Sequence, residues 1–342
     1  MYNPKRVSEA IAKVRRELGL NPSHEPEVAN THFDPTSRTL LVVVADRPDK
    51  STALGHGGCV SSRLKAELGV EHLGVRAKTD LDLKRFRVRR AIRHLKSLLP
   101  KAQPAVEEIA VTRLIPMLEN ELQYPDRSLF EAEPLPSYGA VVGFSGGVDS
   151  TCALILLKKA GLNPIAVTVS PGTWLLPSDA RRTIDSMVDR LGVEHHYINH
   201  PDGYEEVFKA SLEGRIHPCS KCHPLIEVHV TRFAVANRVL IVAFGDLLPT
   251  GGYSSSLVGE VLRFNPPAAL ALTKLETNLI AREFGHLGAR LVFGCPLLRE
   301  VFKLHPEKRL PSIGRVLRET RAGVLEPGQA MKYIESIIRS EG

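Results

Sequence analysis

Apolar residues recur along the chain with two different periods, and these periods predict where helices and strands lie. Between Val7 and Leu18 the apolar positions are three or four residues apart, which predicts an amphipathic helix that ends at Gly19. Runs rich in β-branched residues at 27–33, 39–45 and 71–77 instead predict strands. The first hundred residues therefore read as helix, strand, strand, helix, helix, strand, followed by a long helix over 81–99.

The second half of the chain alternates short apolar runs with helical segments. This alternation predicts an α/β fold, a doubly wound parallel sheet whose ligands bind at the carboxyl ends of the strands. Two amphipathic helices near 312–320 and 326–339 are expected to follow the sheet. The predicted strands of the sheet are 141–144, 163–169, 194–198, 239–244 and 290–293.

Stretches rich in turn residues separate these two patterns. Residues 101–104 and 131–137 contain Pro, Gln and Ser and flank one segment of regular structure. The sequence thus predicts an N-terminal domain over 1–100, a connector over 101–138, a parallel-sheet domain over 139–300 and a basic helical extension over 301–342.

Composition and charge narrow the classes of function. The chain has 342 residues, 43% of them hydrophobic, with a net charge of +7 and a pI near 9.2, so a polyanionic partner is plausible. No apolar run reaches the ~20 residues of a membrane span, and the charged N-terminus lacks a signal-peptide core, so we expect a cytoplasmic protein without a membrane partner. Five cysteines in a reducing compartment favour metal ligation or catalysis over disulfides.

The clearest chemical signal is the Ser-Gly-Gly-x-Asp-Ser stretch between the first predicted strand and its helix. Gly146 and Gly147 allow a phosphate oxygen to approach the main chain, and the helix start adds free amides. Asp149 would repel phosphate unless a cation lay between them, which implies Mg²⁺. The hydroxyl donors of the loop are Ser145, Ser150 and Thr151.

This loop resembles the signature of the PP-loop ATP pyrophosphatases. The resemblance implies ATP as a substrate, cleaved between its α and β phosphates, with the energy used to adenylate a substrate carbonyl. Where the RNA-thiolating branch of that superfamily often has a His/Asp-rich motif, this chain has Asp246 as the one carboxylate. The polar stretch 250–256 reads either as a mobile loop that closes over a substrate or as a flexible connection. By sheet topology, the ATP site should also include Val167, Thr168, Gly245 and Asp246.

The N-terminal element order, with a GxxG loop between its last two helices, resembles a type II KH domain. Such a module is a small α+β domain, and its GxxG loop lies against an RNA backbone. The basic face of the 81–99 helix can follow RNA or be ordinary solvated surface, and the same two alternatives hold for the basic C-terminal extension. The proposed RNA-binding residues are Gly55, His56, Gly57 and Gly58.

Three cysteines, Cys219, Cys222 and Cys295, are expected at the same edge of the sheet. The CxxC pair begins a predicted helix, and that position together with Lys221 and Arg215 should favour thiolates. A structural zinc site, with His217 or His223 as fourth ligand, and a redox dithiol are two interpretations. The third is a [4Fe-4S] cluster, since the RNA-thiolating PP-loop enzymes have a CxxC and a distant third cysteine.

Taken together, these parts resemble a tRNA sulfurtransferase. ATP would adenylate a nucleobase carbonyl oxygen, and sulfur from sulfide, a persulfide or a carrier protein would replace it. By the same resemblance a homodimer is plausible, and Asp149, Cys219, Cys222 and Cys295 would carry the chemistry. The alternatives are a PP-loop ligase or amidotransferase that acts on a small molecule and holds Zn²⁺, and an RNA-binding protein that only senses ATP. The sequence leaves the nucleotide, the atom and the sulfur donor open.

Overall fold

The computed structural model describes residues 2–20, 26–288 and 293–339, and its N-terminal part is a small α+β unit. Strand β1 pairs antiparallel with β2, and β2 pairs parallel with β3. The element order is the predicted one. The bounds are α1 Pro4–Glu17, β1 Val28–Asp34, β2 Thr39–Val44, α2 Arg47–Leu54, α3 Cys59–Glu67 and β3 His72–Ala77.

A separate apolar core holds this unit together. The predicted stripe of α1 is fully buried at Val7, Ile11 and Val14, and it packs with Val42 and Leu64. Burial of side chains of this size stabilises by roughly 1.5–3 kcal/mol each. The period of three to four residues seen in the sequence is thus the packing face of the helix.

A six-stranded sheet forms the second half, with the strand order β6-β5-β4-β7-β9-β8. All neighbouring strands are parallel except β8 and β9. The chain winds outward from β4 in both directions, so β4 is the point where the strand order reverses, the place at which doubly wound sheets bind ligands. The predicted α/β fold class is confirmed. The strands are β4 Ala140–Gly143, β5 Pro164–Ser170, β6 His195–Asn199, β7 Ile241–Ala243, β8 Ser255–Val258 and β9 Val261–Phe264.

Helices cover both faces of this sheet. On one face the apolar residues of α7 and α8 pack in the largest core, and on the other α10 packs against β4, β5 and β7. Of the helices that the structure describes, none is long and apolar enough to cross a membrane. The remaining helices are α4 Lys78–Leu98, α5 Pro104–Ile109, α6 Ile115–Glu121, α7 Val148–Lys159, α8 Ser178–Leu191, α9 Tyr204–Leu212, α10 Cys219–Ala236, α11 Gly251–Ser254, α12 Pro266–Ala269, α13 Lys274–Glu283, α14 Pro296–Leu304, α15 Arg309–Arg321 and α16 Pro327–Ile338.

Three segments differ from the expectation. The stretch 250–256 is a helical turn followed by the start of β8, because Ser254 caps the turn by donating to the carbonyl of Thr250 and Ser255 pairs with Phe264. The predicted strand at 290–293 falls largely outside the described residues, and Phe293, which is described, is not in a strand. The sequence predicted the helix over 81–99 as part of the N-terminal domain, whereas the apolar side of α4 packs into the core of the parallel-sheet half.

A buried ionic cluster joins the two halves. Lys84 lies 2.9 Å from Glu121 and 3.1 Å from Glu276, while Arg76 contacts Glu326 at 3.0 Å and Glu276 at 3.8 Å. These residues come from β3, α4, α6, α13 and the segment before α16. Removing one member of such a cluster leaves an uncompensated buried charge.

We expect Glu276→Gln to destabilise the protein by about 3 kcal/mol at neutral pH. Burial by itself would raise the pKa of Glu276, but the charges of Lys84 and Arg76 and the bonds from Thr273 outweigh it and hold the pKa at about 2. A lowered pKa contributes stability above the unfolded value of about 4.5, and that stability is lost as the pH falls towards 2.

Urea unfolding between pH 7 and pH 3 measures this contribution. The wild-type free energy of unfolding should fall over that range more steeply than that of Glu276→Gln. Glu213→Gln, which removes an exposed ion pair with Arg215, should cost less than about 1 kcal/mol. Equal stability of Glu276→Gln and wild type at pH 7 would contradict the prediction.

Candidate active site

The phosphate-binding candidate is the loop between β4 and α7, at the reversal of strand order. The amide of Ser145 donates to Oγ of Ser150 at 3.2 Å, and that hydroxyl lies 3.0 Å from the carbonyl of Gly147. Gly146 has φ +68°, and a Cβ there would lie 2.6 Å from Ile184, so glycine is required. Helix α7 begins without a side-chain cap, which leaves its first amides free for an anion.

Thr151 lies in the first turn of α7 and is fully buried. Within the described chain its Oγ1 has no hydrogen-bond partner. A buried hydroxyl without a partner costs free energy unless a bound group satisfies it. This observation fits a ligand-binding loop.

Asp149 is paired with a lysine that the sequence did not single out. Lys274 Nζ lies 2.6 and 2.7 Å from the two carboxylate oxygens, and Thr277 Oγ1 lies 3.2 Å from one of them. In this structure the cation that Asp149 requires beside a phosphate is therefore an ammonium group. Its one sequence signal is the capping box of Thr273 and Glu276, which starts α13 and puts Lys274 at the first helical position.

A buried histidine supports the loop from the other side. His286 is 3% exposed, and its Nε2 lies 2.9 Å from the carbonyl of Gly146. The amide of Gly288 donates to Nδ1 of the same ring. Because Nδ1 accepts, Nε2 carries the proton and donates to the loop.

Val167 and Thr168 lie beside the loop but are buried in the sheet. Val167 is 1% exposed and its carbonyl accepts from the amide of Phe144. Thr168 Oγ1 donates to the carbonyl of Phe144 at 2.6 Å and lies 2.9 Å from His195 Nε2. Burial lowers the pKa of His195, so this imidazole is neutral near pH 7. The side chains of Val167 and Thr168 thus hold the β4–β5 edge.

The end of β7 presses against the loop, as the strand-end rule predicts. A Cβ on Gly245 would lie 2.6 Å from the amide nitrogen of Ser150 and 2.7 Å from the carbonyl carbon of Asp149. The next residue, Asp246, accepts from Asn265 Nδ2 at 3.0 Å, and burial raises the pKa of its carboxyl.

Gly245→Ala is therefore expected to weaken ATP binding by at least about tenfold, about 1.4 kcal/mol, because the added methyl group must displace the loop backbone. Gly252→Ala is the matched control, since a Cβ there meets nothing within 4 Å. Calorimetric titration with ATP, with thermal melts of both variants, measures the effect. Unchanged affinity in a folded Gly245→Ala protein would contradict it.

The three cysteines form one electrostatic group. Cys219 and Cys222 lie in the first turn of α10, and Cys295 caps α14. Burial first, and then the neighbouring thiols, raise the pKa of Cys219 to about 11 and of Cys222 to about 12, although Cys219 as a residue is exposed. Burial also raises the pKa of Cys295. The expectation that Lys221 and Arg215 favour thiolates is therefore wrong, because burial dominates.

Three neutral thiols in a shared environment are better suited to binding a cationic group than to acting as a free nucleophile, since a bound metal would deprotonate them. The donor set of three thiols fits an iron–sulfur cluster, in which each sulfur binds a different iron. In a tetrahedral zinc site the sulfurs would lie about 3.8 Å apart. Among the described residues the three thiols do not lie mutually within 4.8 Å, whereas His223, Glu227 and Asp246 do.

The C-terminal helices reach this site. Arg315 of α15 donates to Glu319 at 2.8 Å and interacts electrostatically with Cys219 and Asp246. Burial raises the pKa of Tyr333 in α16, which is close enough to sense Lys274 and Asp149. The sequence left two alternatives for this extension, a contact with RNA at the face of the proposed active site or solvated surface; it gave no sign that Arg315 and Tyr333 lie close to Cys219 and Asp149.

The GxxG loop between α2 and α3 contacts the start of α16. Gly55, Gly57 and Gly58 have φ of +69°, +57° and +83°. His56 and Gly57 are exposed, whereas Gly58 is buried, and a Cβ on Gly328 would lie 2.8 Å from the carbonyl oxygen of Gly57. One side of the loop is therefore open and the other is closed by the C-terminal extension.

Comparison with known proteins gives relatives of two kinds. No family model matches the chain. An uncharacterized protein of Methanocaldococcus jannaschii is 28% identical over 267 residues, which is 78% of this chain and 98% of that protein. The tRNA-specific 2-thiouridylase of Persephonella marina is 33% identical over 126 residues, and that of Microcystis aeruginosa is 27% identical over 180 residues. The chain spans only 35% and 50% of the length of these two enzymes.

Solved structures with some likeness include NMN synthetase from Francisella tularensis and the U34-tRNA thiolase NcsA from Methanococcus maripaludis with its [4Fe-4S] cluster. The match to NMN synthetase has a TM-score of 0.38 and 18% identity, and it covers 60% of this chain and 86% of that protein. The match to NcsA has a TM-score of 0.37 and 16% identity, and it covers 69% of this chain and 76% of that protein. The fold class therefore rests on the observed sheet order. The sequence similarity to the thiouridylases of Persephonella marina and Microcystis aeruginosa covers 33% and 42% of this chain.

Proposed function

We propose that this protein is an ATP-dependent tRNA sulfurtransferase that adenylates a nucleobase carbonyl oxygen and replaces it with sulfur. The observation that carries the proposal is the cluster of three thiols, those of Cys219, Cys222 and Cys295. Arg315 interacts electrostatically with Cys219 and with Asp246, which follows the residue that contacts the phosphate loop. The similarity to tRNA-specific 2-thiouridylases supports the same substrate class.

The phosphate loop would bind Mg²⁺-ATP and promote cleavage between the α and β phosphates. The free amides of α7 and the hydroxyls of Ser145 and Thr151 would hold the departing pyrophosphate. Lys274 would supply positive charge as negative charge develops there, and it would hold Asp149 until the metal–nucleotide arrives. His286 would keep the loop in shape through its bond to Gly146.

Cys219, Cys222 and Cys295 would hold a [4Fe-4S] cluster. When bound, such a cluster supplies an iron without a protein ligand to which a sulfur donor can attach. The role of the chain is to keep the thiols in a partly buried environment and to exclude competing water. Cys295 receives hydrogen bonds from the amides of Leu297 and Leu298, a pattern that stabilises thiolate ligands.

The N-terminal unit would bind the tRNA as a type II KH-like domain. Its mixed three-stranded sheet and the glycine-rich turn between α2 and α3 support this role, and the exposed His56 and Gly57 offer the open side of the loop to a phosphate backbone. The exposed basic residues of α4 would extend the contact; they include Arg89, Arg90, Arg93 and Lys96.

Reconstitution of the protein under anaerobic conditions tests the proposal. With unmodified tRNA, Mg²⁺-ATP and sulfide, we expect AMP, pyrophosphate and a thionucleoside in equal amounts. The thionucleoside is measured by mass spectrometry of digested tRNA. A colourless protein with stoichiometric zinc would contradict the cluster. Unchanged thionucleosides in tRNA from a deletion strain would rule out the sulfurtransferase.

A further inference from the structure

A second cluster of metal-ligating groups lies beside the cysteines and is not used by the chemistry above. His223 Nε2 lies 3.3 Å from Glu227 Oε1 and 3.7 Å from Asp246 Oδ1. One ligand atom from each of the three residues lies within 4.8 Å of the others. Four ligands around a cation at about 2.1 Å are separated by roughly 3.4 Å, and the two distances from His223, 3.3 and 3.7 Å, are close to that spacing.

Secondary structure sets this arrangement. His223 and Glu227 are four residues apart on α10, so they lie on the same face of the helix. Asp246 follows β7, at the carboxyl edge of the sheet against which α10 packs. One helix face and one strand end therefore converge on a single point.

Both carboxylates are held by further hydrogen bonds, which is the support that metal ligands usually have. Arg263 Nη1 donates to Glu227 Oε1 at 2.9 Å, and Nη2 of the same side chain donates to the carbonyl of Gly252 at 2.8 Å. The side chain of Asn265, which is fully buried, donates to Asp246 Oδ2 and to the carbonyl of Tyr253 and accepts from the amide of Phe244. Asp246 Oδ2 is thus occupied, and its Oδ1 is the oxygen that His223 approaches.

We infer that His223, Glu227 and Asp246 form a binding site for a divalent first-row transition metal ion, separate from the thiol site. A donor set of one imidazole and two carboxylates favours such ions over Ca²⁺, because Ca²⁺ takes oxygen ligands. Three protein ligands leave coordination positions open for water or a phosphate oxygen. The inference does not depend on the sulfurtransferase proposal.

The location gives the ion a defined place in the molecule. His223 follows Cys222 in sequence, and Asp246 follows Gly245, which touches the backbone of the phosphate loop. An ion here would be bound by the sequence neighbours of Cys222 and of Gly245. Its open positions can take an oxygen anion of a substrate that reaches both the thiols and the loop.

Manganese binding tests the site directly, because Mn²⁺ prefers oxygen and imidazole donors to thiols. The full-length protein is titrated with Mn²⁺ in the absence of nucleotide, and the bound ion is followed by electron paramagnetic resonance with detection of coupling to nitrogen. Wild type should bind one Mn²⁺ with coupling to an imidazole nitrogen. Glu227→Gln and Asp246→Asn should each weaken binding at least about tenfold.

His223→Gln should remove the nitrogen coupling. His196→Gln is the matched control, since His196 also lies 2.6 Å from a glutamate, Glu194, but belongs to no cluster of three ligands among the described residues. Thermal melts without metal show that each variant is folded. Wild-type affinity in both carboxylate variants, or nitrogen coupling that persists in His223→Gln, would overturn the inference.

Discussion

Lys274→Met is expected to lower the rate of pyrophosphate release from ATP by about 10²- to 10³-fold, the usual cost of losing one group that stabilises transition-state charge. The ammonium group lies within 2.7 Å of both oxygens of Asp149 and is mostly buried. Without it, an unpaired carboxylate faces the incoming phosphates. The substitution therefore removes an attraction and exposes a repulsion at the same point.

A double-mutant cycle separates these two effects. Asp149→Asn combined with Lys274→Met removes the repulsion, so the double variant should bind ATP more tightly than Lys274→Met alone, even though its turnover stays low. Lys332→Met, an exposed lysine of α16, serves as the control for loss of a positive charge. Pyrophosphate release by Lys274→Met within threefold of wild type would show that this lysine has no part in the chemistry.

Cys295→Ser is expected to reduce bound iron by at least about tenfold and to stop thionucleoside formation, while ATP binding stays within threefold of wild type. A cluster held by three cysteines loses one of its protein ligands, and Ser is nearly the same size as Cys. Cys295 lies at the start of α14, outside the loop between β4 and α7, so binding of the nucleotide should survive. The variant separates the two halves of the proposed reaction.

Cys59→Ser is the control for this experiment, because Cys59 is exposed on α3 in the N-terminal unit. Iron and sulfide content, visible absorption of the anaerobic protein and mass analysis of tRNA are the measurements. If Cys295→Ser keeps wild-type iron content, Cys295 is not a ligand. If it loses iron but still thiolates tRNA, the cluster is not required for sulfur transfer.

The sequence predicted the fold class well because local patterns determine it. The stripe from Val7 to Val14 and the β-branched strands specify which face of each element is buried, and the alternation of strands with helices specifies a parallel sheet. The β8–β9 hairpin was missed since its first strand, Ser255–Val258, begins with small polar residues that also suit a loop. Which strand β8 pairs with depends on contacts between separate segments, and a short stretch of sequence does not show these contacts.

The phosphate loop needed no tertiary information, because all its groups lie within seven consecutive residues and their spacing determines their geometry. The groups around it could not be found in this way. Lys274, His286 and Tyr333 come from segments at least 120 residues farther along the chain, and only the packing of α13, the following turn and α16 brings them to the loop. A single sequence contains no signal for such contacts.

The sequence by itself therefore determined the α/β class and singled out the candidate phosphate loop and the candidate cysteines, because these depend on local periodicity and spacing. Only the tertiary structure decided the charge state of the thiols, the lysine partner of Asp149 and the meeting of His223 with Asp246. Burial and distance control these properties. Both arise when distant segments pack against one sheet edge, where low exposure raises the pKa of Cys222 and a buried ammonium neutralises Asp149.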